Sequence, residues 1–352
     1  MKYSKWCLFT LLAVIVTGAA SVNAANDEPL TDNWAPSEWG PEDKVGAVNR
    51  TTPEIVLAAT KLVRQGKVAT LGKVYQQDMP SYGARGWKLI IPRGTSAAIG
   101  PQELRGAEEI VTAELGQVGT QFDGPGHIGV RTSKGDFYYN GRMMEEVGTP
   151  YGLGPLGVEH IAQVGFVCRG VLLNAADHRG MEQLPIPAPP PNQGDPGIIT
   201  DEDIKAMVAK QGLDPIGEGD CVFLYTGHGN LWHPRLWDTF STAEKAERTA
   251  RFNSGEPGFG ISACEYLASR KIILTGADNW GTEAVAGGTF TGENDQPFEC
   301  HIKLIAKRGI WNIENLDLTQ LVEDGVSEFL FVWSPLKMKG ATGSPGNPIA
   351  LY

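Results

Sequence analysis

The sequence predicts a mixed α/β domain, and three observations carry that expectation. Strand-like and helix-starting segments alternate through the second half of the chain. Sequence rich in Val, Leu and Ile between turn residues precedes them. The 44 glycines and 23 prolines among 352 residues imply many turns and leave little room for long helices. No repeat of fixed period is present. Periodicity does not supply the strand order.

The first 24 residues read as a cleaved secretory signal. Lys2 and Lys5 make a basic start, and Trp6 to Val16 is an apolar run too short to span a bilayer comfortably. Val22-Asn23-Ala24 fits the small-x-small cleavage rule, so the mature chain is expected to start at Ala25 in a periplasm or outside the cell. Cys7 lies inside the apolar run and does not read as a lipid-attachment site. No later stretch is apolar for long enough to cross a membrane. Losing Lys2 and Lys5 leaves 28 basic residues against 41 acidic ones, a formal charge of -13. That field favours neither nucleic acid nor anionic lipid, so neither partner is expected.

Residues 25–38 read as a polar, flexible arm and 39–352 as a single domain. Thr52 caps a helix with Pro53 in its first turn, Ile55, Ala59, Leu62 and Val63 on its buried stripe, and Gly66 at its end. Strands are expected over 68–76 and 87–91, a short helix over 157–163 and an apolar strand over 170–174. The segment 184–197 carries six prolines, so it reads as an exposed loop of extended character. Thr200 and Asp203 form a capping box for a helix to Gln211. An apolar strand over 220–226 runs into Gly227 to Trp232. Ser262 and Glu265 suggest a second capping box, for a helix to Arg270. Strand 272–275, helix 299–307 closed by Gly309, strand 310–313 and strand 328–333 complete the chain. Outside the signal lie Cys168, Cys221, Cys264 and Cys300, with no Cys-x-x-Cys. An oxidising compartment allows pairing, but Cys168 and Cys221 sit in apolar strands and read as buried free thiols.

Function is sought in one stretch, Gln117-Val-Gly-Thr-Gln-Phe-Asp-Gly-Pro-Gly-His127. Its glycines and proline exclude a helix interior. In extended backbone, even spacing puts Gln117, Gln121 and Asp123 on one face. The Gly-Pro-Gly turn can then return His127 to that face. On spacing alone, an ordinary polar turn is the commoner arrangement. Among the other histidines, His160, His178 and His233 read as structural or solvent-facing. His228 follows a strand into a Gly-rich loop, where function and structure weigh equally. His301 on a helix and Glu314 at a strand end would each ordinarily be satisfied polar groups. There is no His-Glu-x-x-His, no Gly-x-Ser-x-Gly elbow and no phosphate loop.

The 117–127 stretch resembles the signature of the cyclase family, which includes bacterial kynurenine formamidases and isatin hydrolases. That signature reads His-x-Gly-Thr-His-x-Asp-x-Pro-x-His. Gly119, Thr120, Asp123, Pro125 and His127 match it, while Gln117 and Gln121 replace its first two histidines. The run from Cys300 and His301 to Glu314-Asn315-Leu316 resembles the family's second signature. Trp39-Gly-Pro-Glu-Asp43, Pro335-Leu336 and Gly343-Ser344-Pro345 also match. The stretches 253–258 and 278–283 resemble a branch with Gln at the second motif position. The likeness covers roughly Trp39 to Leu351.

The resemblance implies the family's swivelling β/β/α fold, a mixed sheet with flanking helices, in a homodimer or homotetramer. It also implies a metal site of Asp123, His127, His301 and Glu314. An amide oxygen is a weak ligand beside imidazole or carboxylate, so Gln117 and Gln121 should not complete a second site. One divalent ion, Zn or Mn, is therefore expected. The implied activity is metal-dependent hydrolysis of an amide-type bond in a small formamide, cyclic amide or lactone. The ion would polarise the carbonyl and activate water. His127 or His301 would move the proton to the leaving group. Gln117 and Gln121 would contact substrate, with His228, Trp232 and Trp280 as an aromatic wall. Two other classes stay open: an exported small-ligand binding protein with a degraded metal site, and a cyclase or dehydratase.

Overall fold

The computed structural model describes residues 27–92, 98–287 and 297–352. The expected signal, residues 1–24, and its cleavage point lie outside the described residues. Nine strands form the main sheet: β1 Val68–Thr70, β2 Gln121–Asp123, β3 Phe166–Asn174, β4 Cys221–Tyr225, β5 Leu274–Ala277, β6 Trp311–Glu314, β7 Glu328–Trp333, β8 Gly343–Pro345 and β9 Ile349–Leu351. Their order is β1-β9-β7-β3-β4-β5-β6-β2-β8. The centre, β3 to β6, is parallel, and the strands on either side are antiparallel.

Both faces of the parallel centre are covered, as such strands require. Along β4, Val222 and Leu224 pack with helices α1 Asp201–Lys210 and α2 Ile261–Ser269, through Ile204, Met207, Ala263 and Leu267. Cys221 and Phe223 face the other way, into a core of Phe122, Phe166, Phe329, Phe331, Trp311 and Trp333. This period-two partition is what an apolar strand in a two-faced sheet demands.

Most expected elements form, with shifted ends. Thr52 accepts from the Ile55 amide and starts a helix over Pro53–Thr60, shorter than expected. The Thr200–Asp203 capping box is reciprocal. Ser262 does not cap α2. Gly260 holds that position and Ser262 Oγ accepts from the Asp201 amide at 3.3 Å. A true capping box, Ser241 with Glu244, starts the helix Thr242–Phe252 that sequence reading passed over. The 184–197 loop is only partly exposed. Leu184, Pro187 and Pro191 are buried, and the Pro187 carbonyl accepts from Gly287 N. In the arm, Ser133 donates to Asp27, and Lys307 pairs with Asp32.

The expected free thiols are overturned. Cys168 is bonded to Cys221, and Cys264 to Cys300. β3 and β4 are neighbours with Cys221 opposite Gly170, which brings Cys168 to a Cα separation of 6.3 Å. An apolar setting does not forbid pairing once two such strands lie side by side. Closing 53 residues stabilises the fold by about 4 kcal/mol in the chain-entropy account.

The ladder between β6 and β2 places the polar site. Asn312 lies opposite Asp123 and Glu314 opposite Gln121, with Ile313 opposite Phe122. Side chains two apart share a face. Four polar groups therefore stand on one face, while Phe122 and Ile313 enter the core on the other.

Candidate metal centre

Asp123, His301 and Glu314 each offer one ligand atom within 4.8 Å of the others, and all three are buried. β2 supplies Asp123 and β6 supplies Glu314. His301 comes from a short helix, Glu299–His301, that continues as a π-helical turn over Ile302–Ala306. His301 Nε2 lies 3.5 Å from Asp123 Oδ2 and 3.5 Å from Glu314 Oε1. Its other nitrogen, Nδ1, lies 2.5 Å from Glu283 Oε1. Glu283 also accepts from the amides of Cys300 and His301, both at 3.0 Å. One carboxylate thus holds the helix start and the ring together. With the proton on Nδ1, the Nε2 lone pair points at the two carboxylates, which is how proteins orient a metal-binding imidazole.

The outer oxygens are held by amides. Gln117 Nε2 donates to Asp123 Oδ1 at 2.9 Å, and Gln121 Nε2 to Glu314 Oε2 at 2.6 Å. The inner atoms share a single donor. Asn312 Nδ2 lies 2.9 Å from Glu314 Oε1, 3.3 Å from Asp123 Oδ2 and 3.3 Å from His301 Nε2. An amide nitrogen has two protons, so once Glu314 and His301 Nε2 give up theirs it cannot satisfy three acceptors. Asn312 Oδ1 is itself buried without a partner. Two inward oxygens and an imidazole lone pair around one point fit a divalent cation.

The electrostatics agree. Burial and the charge of Asp123 push Glu314 up to about 8. Burial would raise Asp123 too, but His127 and His301, with help from Gln117, bring it down to about 2. Burial opposes a charge on His301, yet its bonds to Asp123, Glu283 and Glu314 outweigh that and lift it well above the usual histidine range. Without an ion, protons on Glu314 and His301 supply the positive charge that the cluster requires.

The profile of the family described as "Putative cyclase" matches residues 46–284. The chain belongs to the cyclase family. The chain is similar to the crystal structure of a novel cyclase, with a TM-score of 0.71 at 24% identity, over 90% of this chain and 99% of that one. Isatin hydrolase A from Labrenzia aggregata, bound to benzyl benzoate, gives 0.53 at 18% identity over 81% and 93%. These likenesses establish the α/β cyclase-family fold, a curled mixed sheet with flanking helices. The isatin hydrolase of Roseibium aggregatum is 32% identical over 156 residues, 44% of this chain. The chain matches about half of that relative's length, 52%.

Of the four expected ligands, Asp123, His301 and Glu314 have ligand atoms within 4.8 Å of one another, and His127 stands beside Asp123. His127 Nε2 stands 3.7 Å from Asp123 Oδ1, the oxygen turned away from His301, and its side chain is 19% exposed. Burial, with the charges of His301 and Arg85, lowers its pKa against the pull of Asp123, so its ring is a neutral base at neutral pH. Gln117 and Gln121 flank the shell and orient its carboxylates.

The expected aromatic wall divides. Trp280 stacks on Tyr82 at 4.7 Å and leans on Phe298 at 6.1 Å. Phe298 stands edge-on to His301 at 5.3 Å. These rings therefore lead up to the triad. Trp232 is buried beneath Lys73, whose Nζ lies 5.0 Å above its ring and bonds the Gly229 and Trp232 carbonyls. His228 is wholly buried, stacked on Phe252, with Nε2 on the Phe252 carbonyl at 3.1 Å. Burial pulls its pKa down to about 4, which keeps it neutral. His228→Ala is expected to destabilise the fold by roughly 2–4 kcal/mol through the cavity it leaves. Bound metal per folded chain should stay unchanged, and a parallel loss of metal in elemental analysis would refute this packing role.

Sequence reading missed Glu283, Asn312 and Glu256. Asn312 was within reach, because it lies two residues before Glu314 and so on the same strand face. Glu283 lay in the family-like segment 278–283, but only the fold brings it to His301. Glu256 is fully buried and accepts from Trp280 N at 2.8 Å. Burial and the charge of Glu314 raise its carboxyl well above the usual range.

Proposed function

We propose that this protein is an exported metal-dependent hydrolase of amide-type bonds, acting on a small formamide, cyclic amide or lactone. The observation that carries the reading is the buried triad, with His301 Nε2 turned inward by Glu283. Asp123, His301 and Glu314 would hold one Zn or Mn ion, which supplies Lewis acidity and a low-pKa water. His127 is the group that moves the proton. It is partly exposed, neutral and adjacent to Asp123, whereas both nitrogens of His301 are engaged. Gln117 and Gln121 keep Oδ2 of Asp123 and Oε1 of Glu314 facing each other. The Tyr82, Trp280 and Phe298 rings offer a flat face beside His301 for a planar substrate.

Two disulfides support an oxidising, exported location. Among the described residues, no helix is long and apolar enough to cross a membrane. A hairpin of Trp87–Ile90 with Ile110–Ala113 exposes Leu89, Ile90, Ile110 and Val111. That apolar surface supports self-association as a homodimer or homotetramer. The exported binding-protein reading rests on the glutamine amides, which engage both carboxylates in place of histidines.

Elemental analysis of zinc- or manganese-loaded protein, with a screen of formamides, cyclic imides and lactones, decides between them. One ion per chain and products heavier by one water are expected. No bound ion and no turnover would leave the binding-protein reading. Turnover without gain of water would indicate a cyclase or dehydratase, and two tight ions would refute the role given to the glutamines.

A further inference from the structure

The Cys264–Cys300 disulfide sits beside the candidate metal ligand. Cys300 directly precedes His301, and its partner lies within α2, fully buried. The helix over Glu299–His301 is a single turn, and the chain continues from it as a π-helical segment. Phe298 before it has left-handed backbone, φ 61°, and offers no side-chain cap. Lys303, in the π-helical turn, pairs with Glu265 of α2 at 2.8 Å, and Leu304 packs in the same core, but two contacts act on the His301 end itself. Glu283 receives the amides of Cys300 and His301, and the disulfide ties Cys300 to α2 with a Cα separation of 5.7 Å. α2 is in turn packed on the parallel centre of the sheet through Ala263 and Leu267. The disulfide is thus the covalent link from the His301 turn to the rigid core, and it acts one residue from the ligand, whereas the Lys303–Glu265 pair acts two residues beyond it.

We infer that the Cys264–Cys300 disulfide is the positioning element for His301, so that the metal site matures only where this bond has formed. The inference rests on the metal-site reading above. Its physical basis is tolerance. Ligands must be held within about 0.5 Å of their productive places, and a one-turn helix start held by hydrogen bonds alone frays. The second disulfide, Cys168–Cys221, provides the comparison. It joins β3 to β4, and neither strand carries Asp123, His301 or Glu314.

The test compares the oxidised mature protein with C264A/C300A and C168A/C221A. Two readouts are taken: Zn²⁺ affinity by equilibrium dialysis, and amide exchange over residues 299–306 in chelator-treated protein. In C264A/C300A, Zn²⁺ affinity should fall by about 10–100-fold, as for loss of a supporting partner, and exchange over 299–306 should quicken. In C168A/C221A, Zn²⁺ affinity should stay within about twofold of wild type, with 299–306 unchanged. If C264A/C300A is insoluble, C168A/C221A protein with its remaining disulfide reduced by a phosphine and left unalkylated provides the same readouts. Equal changes in both variants, or unaltered exchange at 299–306 in C264A/C300A, would overturn the inference. If wild-type protein binds no Zn²⁺, the metal reading fails. The positioning of the 299–306 turn is then decided by exchange alone.

Discussion

His301→Ala is expected to empty the metal site and to lower kcat/KM by roughly a thousandfold or more, about 4 kcal/mol of transition-state stabilisation. His301 is the one nitrogen in the triad, and the inward set without it is Asp123 and Glu314. Two carboxylates from adjacent strands, with no imidazole, make a poor site for zinc. The substitution also strands Glu283, whose Oε1 is matched to Nδ1 at 2.5 Å in a buried setting. A buried carboxylate deprived of its partner costs stability, so the melting temperature should fall as well. His160→Ala is the control, because that ring bonds the Gly154 carbonyl and approaches Glu159, away from the triad. Metal content and kcat/KM measured on both variants check this. Full metal retention in His301→Ala would remove His301 from the ligand set.

Much of the fold was legible because it is written in local chemistry. The apolar strand 220–226, the Thr200 cap and the Thr52-Pro53 start depend on neighbours in sequence, and each forms where those neighbours predict. The face shared by Gln121 and Asp123 also followed from period two. What failed to show was long-range. Cys264 and Cys300 lie 36 residues apart and Cys168 and Cys221 lie 53 apart, so only strand order and helix packing bring them together. His228 looked equally suited to function or structure. Its Phe252 partner, on a helix the reading passed over, decided for structure. The false Ser262 cap shows the same limit, since Ser and Glu at the right spacing can serve another helix's amide instead. The Gly-Pro-Gly turn does return His127 to Asp123, with Nε2 3.7 Å from Oδ1, which local turn chemistry made legible.

Metal-free and metal-loaded protein are expected to respond to pH with opposite sign. Glu314 is raised by burial and by Asp123 to about 8, above its ordinary value. A raised acid contributes stability that is present below its unfolded pKa and lost as pH rises through its folded one. His301 is raised as well and acts in the same direction, losing its contribution as pH climbs. Asp123, held at about 2, changes only in acid below this window. His127, lowered by burial, opposes the trend with a smaller contribution near its ordinary value. Chelator-treated protein should therefore lose stability between pH 5 and pH 8, by about 4 kcal/mol from Glu314 alone, with His301 adding to the loss. Adding Zn²⁺ reverses the slope, because the ion must displace the protons on Glu314 and His301 and binds better as they leave. Glu314→Gln removes one of the raised groups without changing its size, so the metal-free slope should flatten. Urea midpoints across this range, with chelator and with Zn²⁺, give the comparison. Parallel slopes in the two forms would mean that the buried carboxylates and His301 do not hold their protons in common, and the account of the empty site would fall.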